Sequence, residues 1–140
     1  MSKKNAVISE FDKARLQEVI DSIRAQSSDN RPWSMGDKLQ ERLTTSEALD
    51  PKDIPADTVT MNSIVRVRDL DTDKVGVYNL VFPSDSKPLE GRISVLSSLG
   101  IALFGSRIGA VVEWETPKAH KNLEIVGIIY QPEAAQHWTL

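Results

Sequence analysis

The sequence predicts an α+β protein in which a short antiparallel helical hairpin precedes an antiparallel sheet with one short helix. Apolar residues recur every three to five positions in the first third of the 140-residue chain, as in an amphipathic helix. From Val59 onward they alternate with polar residues, as in a strand with one buried face. The linker DPKDIPAD separates the two patterns. We therefore expect a hairpin over residues 1–50 and a sheet domain over residues 51–140.

The hairpin is predicted from two apolar stripes joined by a polar turn. Ser9 is a suitable N-cap for the first arm, and Asp12 can complete a capping box. The first stripe consists of Phe11, Leu16, Val19, Ile20 and Ile23. The second arm is expected over residues 33–48, with a stripe of Met35, Leu39, Leu43 and Ala48. Each arm of about 16 residues would be roughly 24 Å long.

The sheet is predicted from five segments with strand character, at residues 59–67, 75–82, 92–96, 110–116 and 123–130. The first two form a hairpin around a turn at residues 71–73. One helix interrupts the pattern at residues 97–105, where Ser97 or Ser98 can cap its start and Gly105 can end it in a left-handed conformation. Its expected buried face contains Leu99, Ala102, Leu103 and Phe104.

Composition narrows the classes of function. The chain has no Cys, two His and a net charge of −3, so neither a zinc site nor another metal or cofactor is expected. Basic and acidic residues are mixed along the chain, which disfavours direct nucleic-acid binding and favours a protein partner. No apolar segment is long enough for a signal peptide or a membrane span. We therefore expect a cytoplasmic protein that binds no membrane; its oligomeric state stays open.

Three segments carry a family resemblance. Residues 92–130, RISVLSSLGIALFGSRIGAVVEWETPKAHKNLEIVGIIY, resemble the C-terminal domain of the Gre transcript-cleavage factors. Residues 58–70, with TVTMNSIVRVRDL, and the ending YQPEAA resemble the regulator of nucleoside diphosphate kinase (Rnk), a Gre-like bacterial family. This resemblance implies an N-terminal coiled coil on an FKBP-like domain. It also implies RNA polymerase as the partner, bound at its secondary channel with the coiled coil pointing inward.

The turn SSDNRPWS at residues 27–34 would form the tip of the coiled coil. The resemblance implies that acids at a Gre tip, spaced as D-x-x-E, help to hold catalytic magnesium. Here Asp29 is followed by Pro32 at the third position, and Arg31 adds a positive charge that opposes cation binding. Asp29 and Asn30 can instead serve as turn residues. Trp33 can either close the hairpin core or contact a partner.

The resemblance also places a polymerase-binding segment at residues 94–99, where the Gre pattern is roughly S-x-D-S-P. Ser94 and Ser97 match that pattern. Leu96 replaces the acid and Ser98 replaces the proline, so a charged contact is lost, although Leu96 could supply apolar contact area. The alternative is that Leu96 and Leu99 pack internally while the serines cap the helix.

These observations lead to the hypothesis of a non-catalytic regulator. It would occupy the polymerase secondary channel, compete with Gre-type factors, and be linked by family to regulation of nucleoside diphosphate kinase. Two enzymatic alternatives stay open, a Gre-type transcript-cleavage factor and an FKBP-like prolyl isomerase. The isomerase would need aromatic side chains to converge on one pocket, and the candidates lie on different elements: Tyr78, Phe82, Phe104 and Trp114.

Overall fold

The computed structural model describes residues 6–26, 35–115, 118–138 and 140, and it confirms the α+β class. Its helices are α1 (Glu10–Gln26), α2 (Met35–Thr45) and α3 (Ser98–Leu103). Its strands are β1 (Val7–Ser9), β2 (Glu47–Leu49), β3 (Ile64–Asp69), β4 (Val75–Val81), β5 (Arg92–Ser94), β6 (Val111–Glu115) and β7 (His120–Tyr130).

Five strands form the main sheet, in the order β5-β4-β3-β7-β6. The expectation of a wholly antiparallel sheet is wrong at one edge, because β5 runs parallel to β4. Two short 3-10 helices, Pro83–Asp85 and Pro88–Glu90, lie in the loop that returns the chain to this edge. The remaining neighbours in this sheet pair antiparallel.

The hairpin begins and ends in a small two-stranded sheet that the sequence pattern did not predict. Strand β1 precedes α1, strand β2 follows α2, and the two strands pair in parallel. Ala48, expected on the second helical stripe, therefore lies in β2. The amide of Ser46 still donates to the carbonyl of Arg42, four residues back, as in a helix. The helix ends there because the next amide, that of Glu47, donates instead to the carbonyl of Ala6, the residue before β1.

The strand predicted from residue 59 begins only at Ile64. A turn precedes it, in which the amide of Ser63 donates to the carbonyl of Thr60 and Asn62 adopts a φ of 67°. Asn tolerates this left-handed conformation better than most residues. Val59 and Met61 are fully buried although they lie outside the strand, but the predicted alternation of burial is wrong here, because Thr60 between them is fully buried as well.

One hydrophobic core joins the helical part to the sheet. It contains Ile8, Leu16 and Leu43 together with Val65 and Leu103. The predicted boundary at residue 50 marks a change in sequence pattern. Buried side chains from both sides of this boundary nevertheless belong to the same core. The helical residues nearest the sheet are part of the globular body, and the division into two domains stays a prediction.

Candidate docking surface and hairpin base

The segment predicted to bind a partner, residues 94–99, forms the turn from β5 into α3. Ser94 Oγ accepts the amide of Leu96 at 2.9 Å. Ser97 Oγ accepts the amide of Gly100 at 3.0 Å and donates to the carbonyl of Ser94 at 2.7 Å. Ser97 is thus the N-cap of α3, and both serine side chains are already used to fix the turn.

The other three predicted residues of the segment differ in exposure. Leu99 is 2% exposed and belongs to the core. Leu96 is half-buried and packs against that core. Ser98 is also half-buried, and it lines a shallow pocket with Lys38, Ile101 and Glu113. Among the five predicted residues, Ser98 and Leu96 therefore have the side chains best placed to meet a partner.

Gly100 explains why this turn is tight, a role that the sequence pattern did not indicate. A Cβ atom at this position would overlap the carbonyl oxygen of Ser94. Only glycine lets the first turn of α3 approach the end of β5 so closely. The sequence signal for this close approach was a glycine three residues after the N-cap serine. That signal is weak, because a glycine inside a helix is usually interpreted only as a residue that lowers helix stability.

The base of the hairpin is fixed to the sheet by a buried carboxylate. Asp12 is 1% exposed, accepts the amide of Met61 at 3.1 Å, and pairs with Arg15 at 2.6 Å. Its own amide donates to Ser9 Oγ at 2.9 Å, as expected for the predicted N-cap. In a capping box the Asp12 carboxylate would also accept the amide of the N-cap residue, Ser9. Here the carboxylate accepts the amide of Met61, in the sheet domain, instead.

The C-terminal segment contacts the same junction between the hairpin base and the sheet domain, which is formed by Asp12, Arg15 and Met61. Glu133 accepts a hydrogen bond from the hydroxyl of Thr60 at 2.7 Å, and Arg15 donates to the main-chain oxygen of Leu140 at 3.0 Å.

Burial raises the pKa of the Asp12 carboxyl, although Arg15 and the Met61 amide oppose this shift. Burial likewise raises the pKa of Glu133. Two carboxyls at this junction are therefore easier to protonate than ordinary acids.

Beyond the base, polar side chains connect the two arms. Gln17 and Gln40 exchange hydrogen bonds of 2.7 and 2.9 Å. Arg24 pairs with Asp37 at 3.2 Å. These contacts join α1 to α2 side by side, as a hairpin requires. The predicted tip residues lie outside the described residues: Asp29, Asn30, Arg31 and Trp33.

The aromatic residues weighed for an isomerase pocket are dispersed. Phe104 is fully buried in the core. Phe82 lies against the guanidinium of Arg15, whose carbon is 4.7 Å from the ring centre. Tyr78 and Trp114 line one cavity of about 290 Å³ at the sheet. Two of the four side chains thus share a pocket, and the other two do not contribute to it.

The described part of the chain offers neither a metal-binding cluster nor a membrane-spanning helix. No three His, Asp or Glu side chains there are grouped so that they could hold a metal ion. None of the helices there combines the length and the apolar character that crossing a membrane requires.

The chain is similar in sequence to Gre-like proteins. Residues 54–130 match the family model described as transcription elongation factor GreA/GreB, C-term. The regulator of nucleoside diphosphate kinase from Escherichia coli K12 is 32% identical, with all of both chains covered. The elongation factor GreA from Clostridium perfringens SM101 is 35% identical over 91 residues, which are 65% of this chain and 58% of that protein.

Solved structures agree with this similarity. A prokaryotic transcription elongation factor GreA/GreB from Nitrosomonas europaea superposes with a TM-score of 0.73 at 31% identity, covering 91% of this chain and all of that one. The structure of the transcription factor Gfh1 superposes with a TM-score of 0.51 at 20% identity, covering 93% of this chain and all of that one. At that identity the likeness to Gfh1 concerns the fold alone.

Proposed function

This chain belongs to the GreA/GreB family of transcription factors and to its Rnk branch, and we propose that it regulates RNA polymerase by occupying the secondary channel without stimulating transcript cleavage. Such a ligand acts by excluding other channel factors, among them the Gre proteins. The relatives named as elongation factors support a role in transcription. The partner is a protein, and the chain itself performs no chemistry.

The observation that carries this proposal is the short hairpin fixed at its base to the family domain. Helix α1 has 17 residues, which corresponds to about 25 Å. Helix α2 has 11 residues, or about 16 Å. Leu16, Ile20, Leu39 and Leu43 are buried, so part of this length is embedded in the body. A short arm with an embedded base suits occupancy near the channel mouth better than reach to a distant active site.

The sequence of the tip supports binding without cleavage. Between Asp21 and Asp37 the only acid is Asp29. Magnesium is usually held by one or two carboxylates with water and phosphate, and a Gre-type tip supplies two acids. Because Arg31 lies two positions from Asp29, residues 27–34 carry no net charge that would attract a cation.

The turn at residues 94–99 is the proposed docking segment, with Leu96 and Ser98 as its contact residues. Its two other serines stabilise the turn, and Leu99 anchors it in the core. This arrangement presents a rigid surface, which lowers the entropic cost of binding. The neighbouring Ile101 and Lys38 add one apolar and one positively charged side chain at the same pocket.

The direct test is binding to core RNA polymerase, measured by competition against a fluorescently labelled GreA. We expect this chain to displace the labelled factor, and the variant Ser98→Glu to do so at least tenfold less effectively. Ser84→Glu is the matched control, because Ser84 is an exposed serine outside the docking segment. Equal losses in both variants would argue against residues 94–99 as the contact, and failure of the unaltered chain to displace GreA would contradict the proposal.

A link to nucleoside diphosphate kinase rests on the name of the Escherichia coli relative. A kinase regulator that acts through transcription would change the amount of kinase in cells and leave the purified enzyme unaffected. We therefore expect no change in the activity of the purified kinase when this chain is added in excess. Inhibition or activation of the purified kinase would instead indicate direct contact.

A further inference from the structure

A cavity of about 450 Å³ lies where Ala6, arm α2 and the loop after α3 meet. It is separate from the docking turn, since no residue from 94 to 99 lines it. Cavities that bind small molecules usually measure about 300 to 1,000 Å³. This cavity is therefore large enough for a small metabolite. The charged side chains among its described lining residues are those of Arg42, Asp57 and Arg107.

Among the described residues, Arg42 is a fixed cation without an acidic partner. Its Nε donates to the carbonyl of Phe104 at 2.9 Å, and its Nη2 donates to Ser106 Oγ at 3.0 Å. These acceptors are neutral, and no carboxylate of the described residues forms an ion pair with Arg42. Burial lowers the pKa of Arg42, which reflects the cost of this charge. Carbonyls at the end of α3 offset part of that cost.

The remaining amino group of Arg42, Nη1, forms no hydrogen bond with any described residue. The guanidinium is held in place by its other two nitrogens, so this group is preorganised for an incoming acceptor. A guanidinium presents its donors in a rigid fork that matches the oxygens of phosphate and carboxylate groups. An anion in the cavity would supply the countercharge that the described residues do not.

Arg107 and Asp57 complete the charged lining. Nη2 of Arg107 lies 3.3 Å from Oδ2 of Asp57, and both side chains are about 40% exposed. The other carboxylate oxygen, Oδ1, is buried and has no hydrogen-bond partner among the described residues. Among the described residues that line the cavity, two arginines and one aspartate leave one net positive charge. They also leave one acceptor that requires a donor from elsewhere.

We propose that this cavity binds a small molecule that carries a phosphate group. The phosphate lies between Arg42 and Arg107, and a hydroxyl or amino group of the ligand donates to Oδ1 of Asp57. A phosphate is favoured over a carboxylate because its three terminal oxygens and greater charge can satisfy two guanidinium groups at once. The apolar side chains of Ala6 and Ile108 form part of the wall against which the rest of the ligand packs. This site does not depend on polymerase binding.

The test is a titration of the isotopically labelled full chain with ribose 5-phosphate, inorganic pyrophosphate and acetate, each at constant ionic strength. Amide NMR shifts of Ser106, Arg107 and Ile108 report binding. We expect saturable shifts with the two phosphate probes and at least tenfold weaker binding of acetate. Tighter binding of ribose 5-phosphate assigns the site to an organic phosphate, and tighter binding of pyrophosphate assigns it to an inorganic one.

The decisive variant is Arg107→Gln, because Arg107 is partly exposed and its replacement should not disturb the fold. We expect it to weaken phosphate binding at least tenfold. Arg66→Gln is the control, since Arg66 is an exposed arginine on β3, outside the cavity lining. Equal weakening by both variants would indicate general charge attraction and overturn the proposal. Shifts that do not saturate, or acetate that binds as tightly as phosphate, would overturn it as well.

Discussion

The two ends of the helical hairpin are stabilised by different interactions. At its base, Leu16 and Leu43 are fully buried in the common core, and the Asp12 carboxylate accepts the amide of Met61. Farther along, every residue from 21 to 26 is exposed. There the arms are connected by the exposed pair Arg24 and Asp37. The base of the hairpin is thus stabilised by buried apolar side chains and a buried hydrogen bond. The outer part, only a few helical turns away, is stabilised by polar contacts at the surface.

This difference separates the part of the hairpin that maintains the fold from the part that is free to contact a partner. Substitutions at the base should destabilise the whole protein, because its side chains belong to the core of the sheet domain. Substitutions in the outer arm should leave the fold intact, since exposed ion pairs contribute about 0–1 kcal/mol. The outer arm can therefore vary for function at little cost in stability.

The largest effect is expected from Leu43→Ala. Leu43 is fully buried in the core that the hairpin shares with the sheet, so its truncation leaves a cavity and should lower the free energy of unfolding by about 3 kcal/mol. Urea denaturation measures this loss. Leu89→Ala is the matched control, because Leu89 is fully exposed and should change stability by less than about 0.5 kcal/mol. Similar losses in both variants would contradict the common core.

A smaller loss is expected from Asp12→Ala. The Met61 amide would lose its acceptor while still buried, which should cost about 2 kcal/mol. The exposed acid Asp85 supplies the control Asp85→Ala, for which no measurable change is expected. Hydrogen exchange gives a second readout, since the Met61 amide should exchange faster in Asp12→Ala only. An unchanged rate would mean that Asp12 does not hold the junction.

The same carboxyl should make stability depend on pH. Because burial raises the pKa of Asp12 in the folded chain, the folded state binds the proton more tightly than the unfolded state. The Asp12 contribution therefore favours folding most at low pH, and it decreases as pH rises from the ordinary pKa of 3.8 through the raised value. The slope from one group is at most about 1.4 kcal/mol per pH unit.

The measurement is the difference in unfolding free energy between the unaltered chain and Asp12→Asn, followed from about pH 3 to about pH 7. As pH rises, the unaltered chain should lose stability relative to the variant. Taking the difference removes the contributions of acids that do not interact with Asp12, such as Asp69, whose pKa is lowered mainly by the amide of Asp71. The difference includes Glu133, because the charge of Asp12 adds to the rise in its pKa, and that coupling has the same sign. A difference that changes in the opposite direction would show that Arg15 outweighs burial at this site.

The smallest effect is expected from Arg24→Ala in the outer arm. Its pair with Asp37 is exposed, so we expect a loss of no more than about 0.5 kcal/mol. The loss should shrink at high salt, because exposed pairs are screened. Denaturation at low and high ionic strength measures both features. A salt-independent loss above about 1 kcal/mol would mean that the arms pack more tightly than their exposure indicates.

Periodic features of the fold were predictable from the sequence. The stripe of Leu16, Ile20, Leu39 and Leu43 indicated the hairpin, and Ser97 and Gly105 marked the two ends of α3. Gly105 has a φ of 81°, the left-handed conformation expected after a helix end. These signals are local, because caps, helical stripes and strand alternation are each contained within a few turns or residues.

Features that depend on distant partners were not predictable. A three-residue strand carries no measurable period, so β1, β2 and the parallel direction of β5 left no signature. Asp12 has the ordinary position of a capping acid, and only the fold brings it to the Met61 amide 49 residues away. The cavity acceptor on Asp57 and the fixed cation of Arg42 likewise arise from segments that are far apart in sequence.

The measurement that tests the central claim most directly is RNA cleavage in backtracked elongation complexes, with and without GreA. We predict that this chain alone produces no cleavage above background and that, in excess, it suppresses the cleavage stimulated by GreA. Cleavage by this chain alone that disappears in Asp29→Ala would contradict the account. GreA activity that stays unchanged in its presence would contradict it as well.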